Sequence, residues 1–489
     1  MAYNGFGKTS MLTNTMLYKI LSMHWRLDLF MSIREHLTAL VIELKYIHSE
    51  AFSWGKDHGF PCFVTDDTYG YQISFTPKAN DYLRKLAIVI FENRDKHLPK
   101  IELGGYIKVT QQVVANMFVA GDFDEKYMAG DKSAIKSLKQ QIEQVISESV
   151  KSFTHYFPAW TLGVESETPF QLGPVLFISR EHWIDQVDFP QSGKDSYLGA
   201  IEANNNWKKL LKDALSSTSH QSEILGLASD VYRAVKDCPA LIKVTVNGFE
   251  RDYSRKLARI VAKSALDSLS LLLGGRSSFL RQAIHEERLG PTRTHRLIET
   301  NGNLWLPGSR LSDRVNMISK PKLEEAMTTI ESWVPSIAFV LDGLLNPERH
   351  SYPKLVMRWA TGLDWYAEAC RESSDSVAIA KLGTSLDVLS NGGKYVGISG
   401  MVSSLLGVNG SDIVVKGDKP KTLDQLIKQI YDDGRSKVLH GTYYDRLESL
   451  ESERKLAEEI ARMALISAAL CLSKYKGDDD DKAFRDMQP

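Results

Sequence analysis

The sequence predicts a mainly α protein, with an α+β N-terminal region followed by a C-terminal all-α helical bundle. Three observations carry that reading. In the last third of the chain apolar residues recur at three- and four-residue steps, broken by helix-capping residues. The stretches with strand character are short, precede residue 249 and are bounded by Gly and Pro. Finally, 489 residues that are 43% hydrophobic and 25% charged are ordinary for a globular chain, with length for two to four domains at roughly 150 residues each.

Taken in order, Met11 to Phe52 reads as a helix, because Leu29, Ile33, Leu37, Leu40, Leu44 and Ile47 keep helical spacing. Just before it, Gly5-Phe-Gly7-Lys8-Thr9-Ser10 imitates the end of a phosphate-binding loop. The first glycine of that pattern would fall on Ala2 and no strand precedes it, so the match is rejected. Tyr69–Phe75, Tyr106–Val109 and Leu172–Ile178 have the β-branched and aromatic content of strands, and residues 132–152 read as a helix. Tyr156, Trp160 and Trp183 sit where a binding surface is conceivable, although aromatics in such runs more often fill a core. Residues 1–206 thus form a mixed region with a regulatory or sensing role in view.

Residues 207–345 read as mainly helical, interrupted by a short strand at Lys243–Gly248. From Lys243 to Lys322 there are 15 Lys and Arg against 7 Asp and Glu, in a chain whose net charge is -1. Arg276, Arg281, Arg288, Arg293 and Arg296, with Arg310 and Arg314, are the candidates for a nucleic-acid-facing surface. A solvated face neutralised by other segments fits the same count equally well. Asn346–Pro353 reads as a linker.

The bundle is expected over 354–475. Its helices are Lys354–Arg371, then one running through Leu389 and closed by Asn391-Gly-Gly393, an apolar element over Ile398–Leu406, one capped by Thr422, and a long one over Leu450–Lys474. Residues 476–489, with four aspartates at Asp478–Asp481, read as an acidic tail or tag remnant outside the fold. The four cysteines are scattered without metal-ligand spacing and read as reduced core thiols; no metal and no cofactor is implied. No apolar run reaches the roughly 18 residues that span a bilayer, and no signal-peptide layout begins the sequence, so a cytoplasmic protein without a membrane partner is expected.

Ahead of the last helix stands Tyr431-Asp-Asp-Gly-Arg435-Ser-Lys437-Val-Leu-His440-Gly441. An arginine that stays charged and a histidine that titrates near neutrality suit chemistry on a phosphodiester, one gripping the oxygens and the other moving a proton. On a regular helix five residues put the two side chains about 140° apart, so they share a groove only if Arg435 lies at a frayed helix start. A bare Arg-x4-His match is more often a solvated arginine and a surface histidine.

A helical bundle with Ile430-Tyr-Asp-Asp-Gly-Arg-Ser-Lys-Val-Leu-His-Gly441 before its last helix resembles the HEPN superfamily, and most of all its ApeA-like branch of prokaryotic anti-phage defence proteins. The resemblance covers roughly the last 120 residues. It implies a HEPN-type bundle with metal-independent endoribonuclease activity, with Arg435 and His440 doubled in the cleft of a homodimer or higher oligomer, RNA as substrate, and a phage-derived trigger acting through the preceding residues. Lys437 would add charge toward phosphate, and Asp387 matches an acidic position on the second helix. Ser436 stands where many members carry Asn. The tyrosine that some relatives place two residues after the histidine is here Thr442, with Tyr443 next. Two other readings stay open: a non-catalytic RNA-binding or scaffold protein that dimerises through its bundle, and a DNA-binding regulator using the basic stretch.

Overall fold

The computed structural model describes residues 32–55, 60–95, 97–123, 132–195, 201–216, 226–288, 294–295, 298–304, 309–310, 319–442, 447 and 449–489. The chain divides into two compact units, Met1–Phe153 with Asn247–Arg255 and Thr154–Val246 with Lys256–Pro489. The chain therefore does not part at residue 206.

The first unit packs α1 (Ile33–Ile47), the hairpin of β1 (Cys62–Thr65) and β2 (Gln72–Phe75), α2 (Pro77–Glu92), α3 (Leu103–Val119) and α4 (Lys132–Ser149). Ser32 starts α1 in a reciprocal capping box with Glu35. Leu37, Leu40, Leu44 and Ile47 are all buried, so the helical stripe holds there. Its part before Ser32, and the Gly5–Ser10 motif, lie outside the described residues.

Tyr106–Val109 is helix rather than strand. Tyr106, Thr110, Val113, Val114 and Met117 are the buried positions of α3, at helical spacing, and the Thr110 hydroxyl donates back to the Tyr106 carbonyl at 2.8 Å. Strand propensity spans only ~1 kcal/mol per residue, whereas burying one large apolar side chain contributes about 1.5–3 kcal/mol. The strand expected from Tyr69 starts only at Gln72, because the Asp66 carboxylate accepts from the N–H groups of Thr68, Tyr69 and Tyr71 and holds a turn.

The second unit holds a five-stranded sheet in the order β4 (Phe170–Leu172), β5 (Val175–Ser179), β6 (Ala240–Phe249), β3 (Lys151–Trp160), β7 (Ala283–Ile284). Leu172–Ile178 is two strands, since Gly173 turns the chain with φ +56. β6, seen from sequence only as Lys243–Gly248, is the central strand. The sheet thus draws strands from both sides of residue 206. Trp160 is buried and Tyr156 meets Trp183 edge-on at 5.8 Å, so these aromatics are core.

Among the helices that follow the sheet's long strands are α5 (Arg251–Leu273), most of which lies in this unit, α6 (Val334–Leu345), α7 (Pro353–Arg371), α8 (Asp375–Leu389), α9 (Lys394–Leu406), α10 (Leu423–Lys428) and α11 (Glu451–Lys474). α11 packs against α6, α7, α8 and α9. The bundle does not begin at residue 354, because α5 is tied into it. Arg462 of α11 donates to the carbonyls of Leu271 and Leu272 at the end of α5, at 2.9 and 3.0 Å. Asp267, 1% exposed, pairs with Arg371 of α7 and with Lys263. Burial alone pushes the Asp267 carboxyl up, but the Arg371 and Lys263 charges outweigh it and hold it below the ordinary carboxylate range.

Residues 476–489 are part of the fold, which corrects their exclusion as a tail or tag remnant. Asp479 accepts from the N–H groups of Lys354 and Leu355 and so caps α7 from outside it. Asp481 pairs with Arg358 at 2.6 Å. Arg485 donates to the carbonyls of Ser390, Asn391 and Gly392 beyond the end of α8. Phe484 is fully buried. A run of four like charges reads as solvated, yet three of these carboxylates have specific cationic or N–H partners, Asp480 accepting from Lys482 N–H at 2.9 Å.

Replacing Phe484 by Ala is expected to cost about 3–5 kcal/mol in urea unfolding, and an unchanged midpoint would place residues 476–489 outside the cooperative fold. A lowered carboxylate stabilises fully above its unfolded value, about 3.9, and that contribution is lost as pH falls through the folded value. The acid side of the stability–pH curve is therefore expected to flatten in Asp267→Asn.

Candidate functional site

The site is built on the helical run that Thr422 starts. Its hydroxyl accepts from Gln425 N–H at 3.3 Å, and the Gln425 side chain accepts in return from Thr422 N–H. After α10 the run widens into a π-helix, Gln429–Ser436, followed by one α-turn, Lys437–Leu439. Segments of π-helix are rare and recur at functional sites.

Two glycines let this run lie close on α8. A Cβ on Gly434 would come within 2.2 Å of the Ile379 side chain, and one on Gly383 within 2.9 Å of the Arg435 Cβ. That approach carries Arg435 to Asp387: Nη2 lies 3.0 Å from the carboxylate, with both side chains mostly buried. Its guanidinium also sits over the Tyr431 ring, 5.2 Å from the centroid. The grip is end-on. Arg435 Nε and Asp387 Oδ1 are buried without a hydrogen-bond partner, leaving donor capacity on the guanidinium.

His440 occupies the C-cap of the run. Gly441, at φ +67, takes the left-handed position behind it, with Gly441 N–H donating to Val438 O at 3.2 Å and Thr442 N–H to Lys437 O at 2.9 Å. This is a Schellman closure, and only a residue without Cβ adopts that position at no cost. The histidine is exposed, and its imidazole has no hydrogen-bond or ion-pair partner among the described residues. Arg435 is in a π-turn rather than at a frayed helix start, and no hydrogen bond or ion pair joins its side chain to that of His440.

The remaining sequence candidates separate clearly. Asp387 is brought onto Arg435. Ser436 lends its carbonyl to His440 N–H at 3.0 Å. Lys437 pairs with Asp433 at 2.8 Å on the surface, a contact of small energetic weight. Tyr443 lies outside the described residues, as do Arg293 and Arg296 and also Arg314; the side chain of Arg310 is likewise not described. Arg276 donates to the carbonyls of Cys370 and Glu372, and Arg288 pairs with Glu368. These contacts fasten their stretch to α7 and its C-cap. Arg281 is half-buried.

Sequence reasoning passed over Gly383 and Gly434, whose signal was a glycine inside each of two helical patterns. Of the cysteines, Cys62 is exposed rather than core, while burial pushes the thiols of Cys238 and Cys370 up to about 12. Among the described residues no group of three or more His, Cys, Asp or Glu could hold a metal ion, and no helix is long and apolar enough to cross a membrane. A cavity of about 260 Å³ opens beside the segment, between Asp433, Gly434 and Lys437 on one side and Leu450 and Glu453 at the start of α11 on the other.

Comparison with known proteins found no matching family model, no matching curated protein and no matching solved structure.

Gly434→Ala forces a methyl against Ile379. It is expected to cost about 1–3 kcal/mol in chemical unfolding, and a midpoint equal to that of the unaltered chain would count against the close contact.

Proposed function

We propose that this chain is a metal-independent endoribonuclease of HEPN type, similar to the ApeA-like branch and acting in anti-phage defence. The observation that carries the reading is the arrangement before the last bundle helix. An arginine is held on a carboxylate with donors to spare, and five residues on a histidine stands uncovered at a capped helix end. Leu439, 60% exposed, stands next to that histidine in the chain and offers apolar surface for self-association. In a dimer the two copies of the segment supply two imidazoles and two guanidiniums to one cleft.

One His440 takes the proton of the ribose 2′-hydroxyl, whose oxygen attacks phosphorus. The P–O5′ bond breaks, and the second His440 gives the leaving oxygen a proton. Arg435 balances the charge that grows on the non-bridging oxygens. A 2′,3′-cyclic phosphate and a 5′-hydroxyl result, and DNA, lacking the 2′-hydroxyl, is spared. The residues before the bundle would restrain the activity until a phage-derived trigger arrives.

A second reading, a non-catalytic RNA-binding or scaffold protein, is favoured by one fact: His440 has no orienting partner among the described residues. The two separate on substitution. With purified protein and total RNA, His440→Ala is expected to lower cleavage by about 10²- to 10⁴-fold and Arg435→Ala by about 10²- to 10³-fold, with the helical spectrum retained. Cleavage and phage protection that survive both changes would establish the scaffold reading.

A further inference from the structure

We propose that the cavity beside the Arg435–His440 segment is a pocket for a guanine base of single-stranded RNA. The inference rests on the ribonuclease reading and adds the sequence preference of the same site. At about 260 Å³ the cavity is smaller than the pockets of drug-sized ligands, which begin at roughly 300 Å³, and suits one nucleobase. Ile379, Leu426, Ile430 and Leu450 line it with apolar surface against which a flat ring can lie.

Its polar groups form a definite set. Gln429 Oε1 accepts from Lys421 Nζ at 2.6 Å, which fixes the amide and leaves its NH₂ as a donor. The Glu453 carboxylate, in the first turn of α11, is acceptor-only and has no hydrogen-bond or ion-pair partner among the described residues. Asp433, on the same wall, is already paired with Lys437.

One amide donor with one vacant carboxylate complements the Watson–Crick edge of guanine. That edge presents an acceptor, O6, beside two adjacent donors, N1–H and the N2 amino group; the carboxylate takes both donors and the amide meets O6. Adenine and cytosine give the carboxylate only one amino donor, with the ring nitrogen left to the amide, and uracil offers it a single donor between two acceptors, so only guanine fills both carboxylate oxygens. The mismatch leaves buried polar groups unpaired, which is what makes such readout discriminating. Unpaired RNA exposes these edges, whereas duplex RNA hides them. Gly434 and Lys437 belong both to the cavity wall and to the catalytic segment, so a seated base selects which neighbouring phosphate lies by Arg435.

The test uses the full chain with two probes. Guanosine and adenosine 5′-monophosphates are titrated by calorimetry, and cuts are mapped in unstructured RNA carrying one guanine among adenines and uracils. Guanosine monophosphate is expected to bind about tenfold or more tightly than adenosine monophosphate, with cuts clustered beside the guanine. Glu453→Gln, which presents one acceptor and one donor, is expected to erase most of that preference and move it toward adenine. Gln429→Glu, which sets a second carboxylate against O6, is expected to weaken guanosine binding by a similar factor, and it serves if the first variant fails to fold. Equal binding of the two nucleotides, or a guanine preference untouched by both variants, overturns the pocket. Cleavage at all bases alike overturns the pocket and leaves the ribonuclease reading standing. Guanosine binding that depends on Glu453 without any RNA cleavage supports the pocket and removes the reaction.

Discussion

The close approach of α8 and the π-helical run at Gly383 and Gly434 is the constraint on which the site depends. A Cβ at either position would overlap the facing element, against Ile379 or the Arg435 Cβ, so the packing that brings Arg435 within 3.0 Å of Asp387 has to shift. The ion pair works in both directions. It removes a guanidinium from bulk water and fixes its plane, while the end-on geometry leaves Nε buried without a partner. Widening of the helix from α to π at Gln429–Ser436 sets the direction of Arg435 before the run returns to α geometry and ends at His440.

The elements around that contact are held from both ends of the unit. The strap of residues 476–489 caps the start of α7 through Asp479, and through Arg485 it closes the end of α8, just beyond Asp387. On the opposite side Asp267 and Arg371 bind α5 to α7, and Arg454, 3% exposed, joins α11 to Asp375 at the head of α8. Charges taken out of water in this way stabilise only when fully partnered, and their arrangement favours one packing of the helices over its neighbours.

The bundle helices were legible because their signals are local. The Thr422–Gln425 box, the Asn391-Gly-Gly393 stop and the apolar steps of α7 and α11 all act within a few residues. Tyr106–Val109 was misread for the complementary reason: its β-branched residues favour strand locally, and only burial against the rest of the first unit makes it helix. The strap was hidden by composition, since nothing in four consecutive aspartates tells which of them meets an N-terminus or an arginine. The partners of the basic stretch were hidden in a similar way. Counting charge along the chain cannot reveal that Arg276 and Arg288 find their acceptors on α7, some 80 residues or more away. For the site, the residue types and the order His440-Gly441 could be read directly. The partnership of Arg435 with Asp387 belongs to tertiary packing and needed coordinates.

The chemistry of the cut ends tests the central idea most directly. Total RNA incubated with the protein in the presence of a divalent-metal chelator should yield 2′,3′-cyclic phosphate and 5′-hydroxyl termini, because the nucleophile belongs to the substrate and the protein supplies only an imidazole and a guanidinium. Termini bearing 5′-phosphate, or cleavage abolished by the chelator, would contradict it.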